Sequence, residues 1–197
     1  MQRISAKLYV EDSSAVTPTA IIPVFHRWIS DGAVEGLLID VADYKHVPEG
    51  PGIMLIGHEG DYSVEYTDGV PAFRYERKRD RPSESELREQ IHQVLRLTLI
   101  GANTLAENPD PHGPIGFRTD EVVVSIADRL RAPNTAENFE SIKHEVEAAV
   151  AEIYGAVVET IERISEDARV PLGFRVRIDK APALKELVGR VQTAAAS

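Results

Sequence analysis

A chain of 197 residues, 43% of them hydrophobic and 27% charged, suits one domain or two small ones sharing a core, and it is long enough to bury a substantial apolar interior. Its formal charge of −10 opposes the phosphate backbone, so general nucleic-acid binding is disfavoured. There is no cysteine, which excludes disulfides, thiolate nucleophiles, iron–sulfur clusters and Cys-based zinc sites, and no window approaches the ~18 uninterrupted apolar residues of a membrane span.

The opening residues MQRISAKLYVED lack the apolar core of a secretory signal, and the expected location is the cytoplasm, with no membrane partner. Ile4, Ala6, Leu8 and Val10 alternate with polar neighbours, which predicts a strand. Thr17-Pro18 then supplies a hydroxyl N-cap and a proline at the first helical position, followed by Ile21, Ile22, Phe25, Trp28 and Ile29 at helical spacing. Pro23 falls early enough in that helix for its missing N–H to cost little, and Ser30-Asp31-Gly32 ends it. His26 sits at the margin of the apolar stripe.

Leu37 to Val41 is an apolar run broken by Asp40 that predicts a buried strand, and the overlapping segment DVADYKHVPEGPG is rich in turn residues. Ile53 to Ile56 predicts another strand. Tyr62, Val64 and Tyr66 then alternate, Asp68-Gly69 suits a type I′ turn, and Phe73 and Tyr75 mark the return strand of a hairpin. Pro71 argues for an edge or bulged position for that return strand. The basic stretch Arg74 to Arg81 reads as a solvated edge and linker, with contact to an anion or acidic partner as the functional alternative.

Ser83 and Glu86 form a capping box before a helix carrying Leu87, Ile91, Val94, Leu95, Thr98, Ala102 and Leu105 on one face. The Pro- and Gly-rich run ENPDPHGPIG is a connector, or a lid that would carry His112 over a site. Glu121 to Leu130 is apolar on both faces, as in an interior strand. Asn134 and Glu137 would cap a helix in which Val146, Val150, Ile153, Val157, Ile161, Ile164 and Ala168 recur at steps of 3 or 4. Unbroken over 135–167, it would be about 50 Å long, against a radius of gyration of about 16 Å for a domain of this size. It must therefore break near Gly155 or project and associate with another chain; a strand at 156–163 is the competing assignment, and the apolar stripe favours helix over it. A short strand over Phe174 to Ile178 and a helix over Pro182 to Val191 close the chain.

These elements predict an α+β fold: a mixed sheet with the helices packed on it in two or three layers. The organisation is an N-terminal half over 1–106 with the hairpin and a C-terminal half over 117–197, sharing one core, and each half begins with a strand followed by a helix. The apolar stripe of the long helix makes a homo-oligomer the expected partner state.

One constellation could carry chemistry. The strand ending at Val41 is followed by Asp43 and His46 and contains Asp40; the strand ending at Ile56 runs into Gly57, His58, Glu59, Gly60 and Asp61. If the two strands were parallel neighbours, Asp40, Asp43, His46, His58, Glu59 and Asp61 would converge at their carboxyl ends, where open α/β sheets place sites. Imidazole with carboxylates can hold a divalent metal such as Zn, Mn or Fe, with His46, His58 and Glu59 as the ligands, or act as a general acid–base pair. The alternative is that polar residues simply mark turns, with Gly57 and Gly60 permitting a tight bend and Asp43 capping one. His92 and His144 lie on polar helix faces. No nucleophile elbow, phosphate loop or dinucleotide fingerprint occurs. Two functions follow: a homo-oligomeric protein that binds a small-molecule ligand or serves as a scaffold, and a metal-dependent hydrolase or lyase built on the His/Asp/Glu cluster.

Overall fold

The structure, a computed structural model, describes residues 3–12, 16–48, 50–66, 69–78, 86–107 and 115–195. Eight strands and four helices follow in the order β1 (Arg3–Tyr9), α1 (Pro18–Asp31), β2 (Leu38–Asp43), β3 (Ile53–Gly57), β4 (Gly60–Glu65), β5 (Ala72–Arg77), α2 (Leu87–Ala106), β6 (Glu121–Ala127), α3 (Ala136–Tyr154), β7 (Val158–Arg163), β8 (Leu172–Ile178) and α4 (Leu184–Ala195). The strands form one sheet in the order β2-β3-β4-β5-β1-β6-β8-β7. The fold is α+β, as its elements predict. The sheet, however, is antiparallel at every pairing rather than mixed. Neighbouring strands follow one another directly along the chain or, at β1·β5, β1·β6 and β6·β8, come from distant chain segments, and among the described residues no βαβ crossover links adjacent strands.

Period-two alternation gives the sheet one apolar face. Leu8 sits opposite Phe73, Phe73 opposite Val64 and Val64 opposite Ile53. On the other side of β1, Ala6 sits opposite Val124 and Val124 opposite Phe174. These residues belong to one buried cluster that includes residues from both halves of the chain. Helix α1 packs on β2 and β3, α2 on β1 and β5, α3 on β7 and β8, and α4 on α2 and α3. Among the rings under α1, Trp28 lies 5.3 Å from Phe25, 6.3 Å from Tyr62 and 6.2 Å from Phe73. Strand β1 sits inside the sheet between β5 and β6, and the two halves meet along β1 and β6. Each half is a strand, a helix, a meander whose last strand pairs antiparallel with its first strand, and a closing helix.

The opposite face is polar and laced with ion pairs. Lys7 bonds Glu65 at 2.6 Å, Arg74 bonds Glu76, and Glu121 receives Arg175 at 3.4 Å and Arg177 at 3.3 Å. The long aliphatic stems cover Val123 and Ser5, which are buried on this face. Arg74 thus belongs to a sheet-face network in an interior strand, where an exposed edge was expected; residues 79–81 of the basic stretch lie outside the described residues. Pro71 permits this because it precedes β5, and its carbonyl accepts the Val10 N–H at 2.9 Å.

Three further expectations need correction. The run Leu37 to Val41 is the sheet's edge strand rather than a buried one, with Ile39 56% exposed. The helix from 135 stops at Gly155, whose φ of 55° is left-handed and whose N–H bonds the Ala151 carbonyl at 2.8 Å. Beyond it the β-branched run Val157, Val158, Thr160 and Ile161 belongs to the β7 region, so the competing strand at 156–163 is what forms, and the self-association surface of a 50 Å helix is lost. The cap of α3 is Thr135, which accepts the Asn138 N–H at 3.2 Å; Asn134 is buried and donates to the Ser165 and Asp167 carbonyls instead. In the capping box expected before α2, Ser83 lies outside the described residues, as do Asp68 of the hairpin turn and His112 of the lid. Among the described residues, no helix is long and apolar enough to cross a membrane.

Candidate functional site

Antiparallel pairing of β2 with β3 decides the fate of the expected cluster. Asp43 lies opposite Ile53, and Leu38 opposite Gly57. The carboxyl ends of the two strands therefore point in opposite directions. Four residue steps at ~3.4 Å put about 14 Å between Asp43, with His46 beyond it, and the His58–Glu59 turn. The convergence that parallel strands would have produced does not occur. Among the described residues, no three His, Asp or Glu side chains gather as a metal would require.

Each group has a local partner or faces solvent. Asp40 is exposed and accepts the Val41 N–H at 2.8 Å. Asp43 accepts the Lys45 N–H at 3.0 Å and pairs with the Lys45 ammonium at 3.0 Å; the backbone bond first, then the ammonium, holds its carboxyl below the ordinary carboxylate range. His46, His58 and Glu59 are exposed. Asp61 is buried, accepting the Gly57 N–H at 3.1 Å and the Lys78 ammonium at 2.7 Å. The stretch GHEGD is thus a hairpin turn built for close approach. A Cβ on Gly57 would strike the Gly60 carbonyl, and one on Gly60 would strike the Tyr75 phenol. Beside it, Tyr62 donates to the Glu35 carbonyl at 3.3 Å and Arg96 pairs with Glu35 at 2.6 Å. Burial pushes the Tyr75 phenol up to about 12. The cleft here holds only about 10 Å³, room for one water and not for a substrate.

A larger cavity, about 390 Å³, opens at the other end of β2 and β3. Its frame is the 44–52 connection. Three backbone bonds close this loop on itself: Tyr44 N–H to Gly52 O at 2.8 Å, Val47 N–H to Tyr44 O at 3.0 Å, and Gly50 N–H to Val47 O at 3.0 Å. Pro48 and Pro51 stiffen it further. Gly52 is needed twice: its φ is +65°, and a Cβ would strike the Val64 carbonyl and lie 3.1 Å from the Glu65 Cα. Tyr44, Lys45, Val47 and Pro48 line the cavity from the loop, Tyr66 from the end of β4, and Pro18 from the start of α1. Burial holds the Tyr66 phenol well above its ordinary range, and its Oη is buried with no partner among the described residues.

Of the six expected site residues, none lines this cavity; Asp43 touches it only through Lys45. The sequence does carry a signal here: two prolines and two glycines within 48–52, next to Tyr44 and Val47, which are too apolar for an ordinary solvated turn. Tyr66 and Pro18 carry none, since only the fold brings them to the loop. Comparison of the chain with family models, with curated proteins and with solved structures finds no match.

Proposed function

We propose that this is a binding protein whose ligand, a small molecule with an apolar body, occupies the cavity framed by the 44–52 loop, Tyr66 and Pro18. The observation that carries the reading is a cavity of about 390 Å³, inside the ~300–1,000 Å³ range of small-molecule sites, whose main wall is a loop braced by its own backbone bonds. A braced loop has little ordering entropy left to lose on binding, which favours a preformed site. The lining of tyrosine, proline and valine matches the mostly apolar and aromatic character of such pockets. The test is a ligand-observed NMR screen of a fragment library against wild type and Val47→Trp, a substitution that fills the cavity from a half-exposed position. Fragments that bind wild type and are lost from Val47→Trp support the reading. Fragments that bind both proteins alike place the site elsewhere and refute it.

Homo-oligomeric association is the second half of the proposal. Its support moves from the helix stripe to edge strand β2, where Leu37 is 67% and Ile39 56% exposed beside unpaired backbone groups. Light scattering of wild type and Ile39→Lys tests it: a dimer reduced to monomer by the substitution supports pairing through β2, and a monomer in both refutes it.

A further inference from the structure

The cavity's lining specifies more than apolar fit. Among the described residues that line it, the one full charge is the Lys45 ammonium. We infer that the cavity takes a small planar carboxylate, its flat body against the Tyr44, Tyr66, Pro18 and Pro48 rings and its carboxylate on Lys45. The inference rests on the reading of this cavity as a ligand site.

Three observations carry it. The Lys45 ammonium is bonded to Asp43 at 3.0 Å, but both side chains are more than a third exposed, and exposed pairs of this kind contribute little to stability. Releasing the ammonium toward a ligand therefore costs little. Asp43 does not lose its support when that happens, because it still accepts the Lys45 N–H at 3.0 Å. The backbone bond holds the start of the loop while the side chain above it changes partner. Beside Val47, Gly50 and Gly52, the lining is made of the Tyr44 and Tyr66 rings with Pro18 and Pro48, and a flat tyrosine face accepts a flat unsaturated body better than a branched one. A carboxylate on such a body would meet a cation already at the cavity wall.

Matched pairs of acid and amide make the test: 2-naphthoate against 2-naphthamide, and benzoate against benzamide, titrated by calorimetry into the full chain. Each acid is expected to bind at least tenfold tighter than its amide, with the advantage falling as salt rises. Lys45→Met should erase that advantage, and Lys45→Arg should restore it. Acid and amide binding equally, with both lost in Val47→Trp, would overturn the carboxylate inference and leave the cavity as a neutral-ligand site. An acid preference that survives Lys45→Met would also overturn it, by placing the charge contact elsewhere. If neither acid nor amide binds and the fragment screen is also silent, the cavity reading and this inference fall together.

Discussion

Gly52 offers the sharpest test of how the 44–52 loop is built, because Gly32 provides an internal control. Both glycines have the same left-handed backbone, with φ of +65° and +61°. Replacing either with alanine incurs the left-handed penalty of a Cβ residue, about 1–2 kcal/mol, offset in part by the stiffer unfolded chain, so about 1 kcal/mol remains. For Gly32→Ala nothing lies within 4 Å of the new Cβ, and the cost stops there. For Gly52→Ala the Cβ strikes the Val64 carbonyl and lies 3.1 Å from the Glu65 Cα, both backbone atoms of interior strand β4 that cannot swing aside. Overpacking of this kind adds roughly 1–3 kcal/mol. The totals, about 1 against about 2–4 kcal/mol, correspond to losses in Tm of roughly 2–4 °C for Gly32→Ala and 5–15 °C for Gly52→Ala in a chain this size. Differential scanning calorimetry of the two variants measures the difference directly. Equal shifts would refute the reasoning, because they would mean that the loop yields at Gly52 and that the β3–β4 backbone does not hold the cavity wall.

Trp28→Ala should destabilise by about 3–5 kcal/mol in urea titrations, since the side chain is 2% exposed and touches three other rings; a loss below ~1.5 kcal/mol would show that the cavity collapses. Asp61→Ala should cost about 1–3 kcal/mol by leaving the Gly57 N–H and the Lys78 ammonium without their acceptor, and Asp61→Asn, which keeps an acceptor for Gly57, should cost less; equal costs would mean that the hydrogen bond does not hold the turn. Alkaline pH should destabilise the fold. Burial raises the Tyr75 phenol to about 12 in the folded state against ~10 unfolded, so its contribution is complete below pH ~10 and is lost as pH rises toward 12. Tyr62, Tyr66 and Tyr154 shift in the same direction by burial. Denaturant midpoints measured from pH 8 to 12 beside tyrosinate absorbance should stay flat and then fall; a flat profile to pH 12 would contradict the buried phenols.

Much of the fold was legible because periodicity reports burial. Alternation in β1 and the Ile91-to-Leu105 stripe of α2 name core residues that the structure buries. The failures share a cause: local pattern carries no information about neighbours. Leu37, Ile39 and Val41 read as buried because they are apolar, yet the strand has a partner on one side only. Val157, Ile161 and Ile164 recur at helical steps by coincidence, and Gly155 overrules them through one left-handed residue. The expected site failed at a single topological point. Asp43 and His58 would have met had β2 and β3 been parallel; strand direction is set by a connection too short for a crossover, which the length of 44–52 already implied. The cavity was the least legible feature, since Tyr66 and Pro18 reach it from segments distant in sequence.

The place of β1 also governs the order in which a growing polypeptide can complete its sheet. Its first partner, β5, ends at Arg77, and its second, β6, begins at Glu121. About 45 residues separate them, roughly 2 to 9 s of synthesis at ~5–20 residues per second. Throughout that interval the first half can close on itself while one flank of β1 remains unpaired. A nascent chain stalled there would present the ladder of Ser5 and Lys7 as a template for a neighbouring copy, so translation speed between Arg77 and Glu121 should weigh on the soluble yield of this protein.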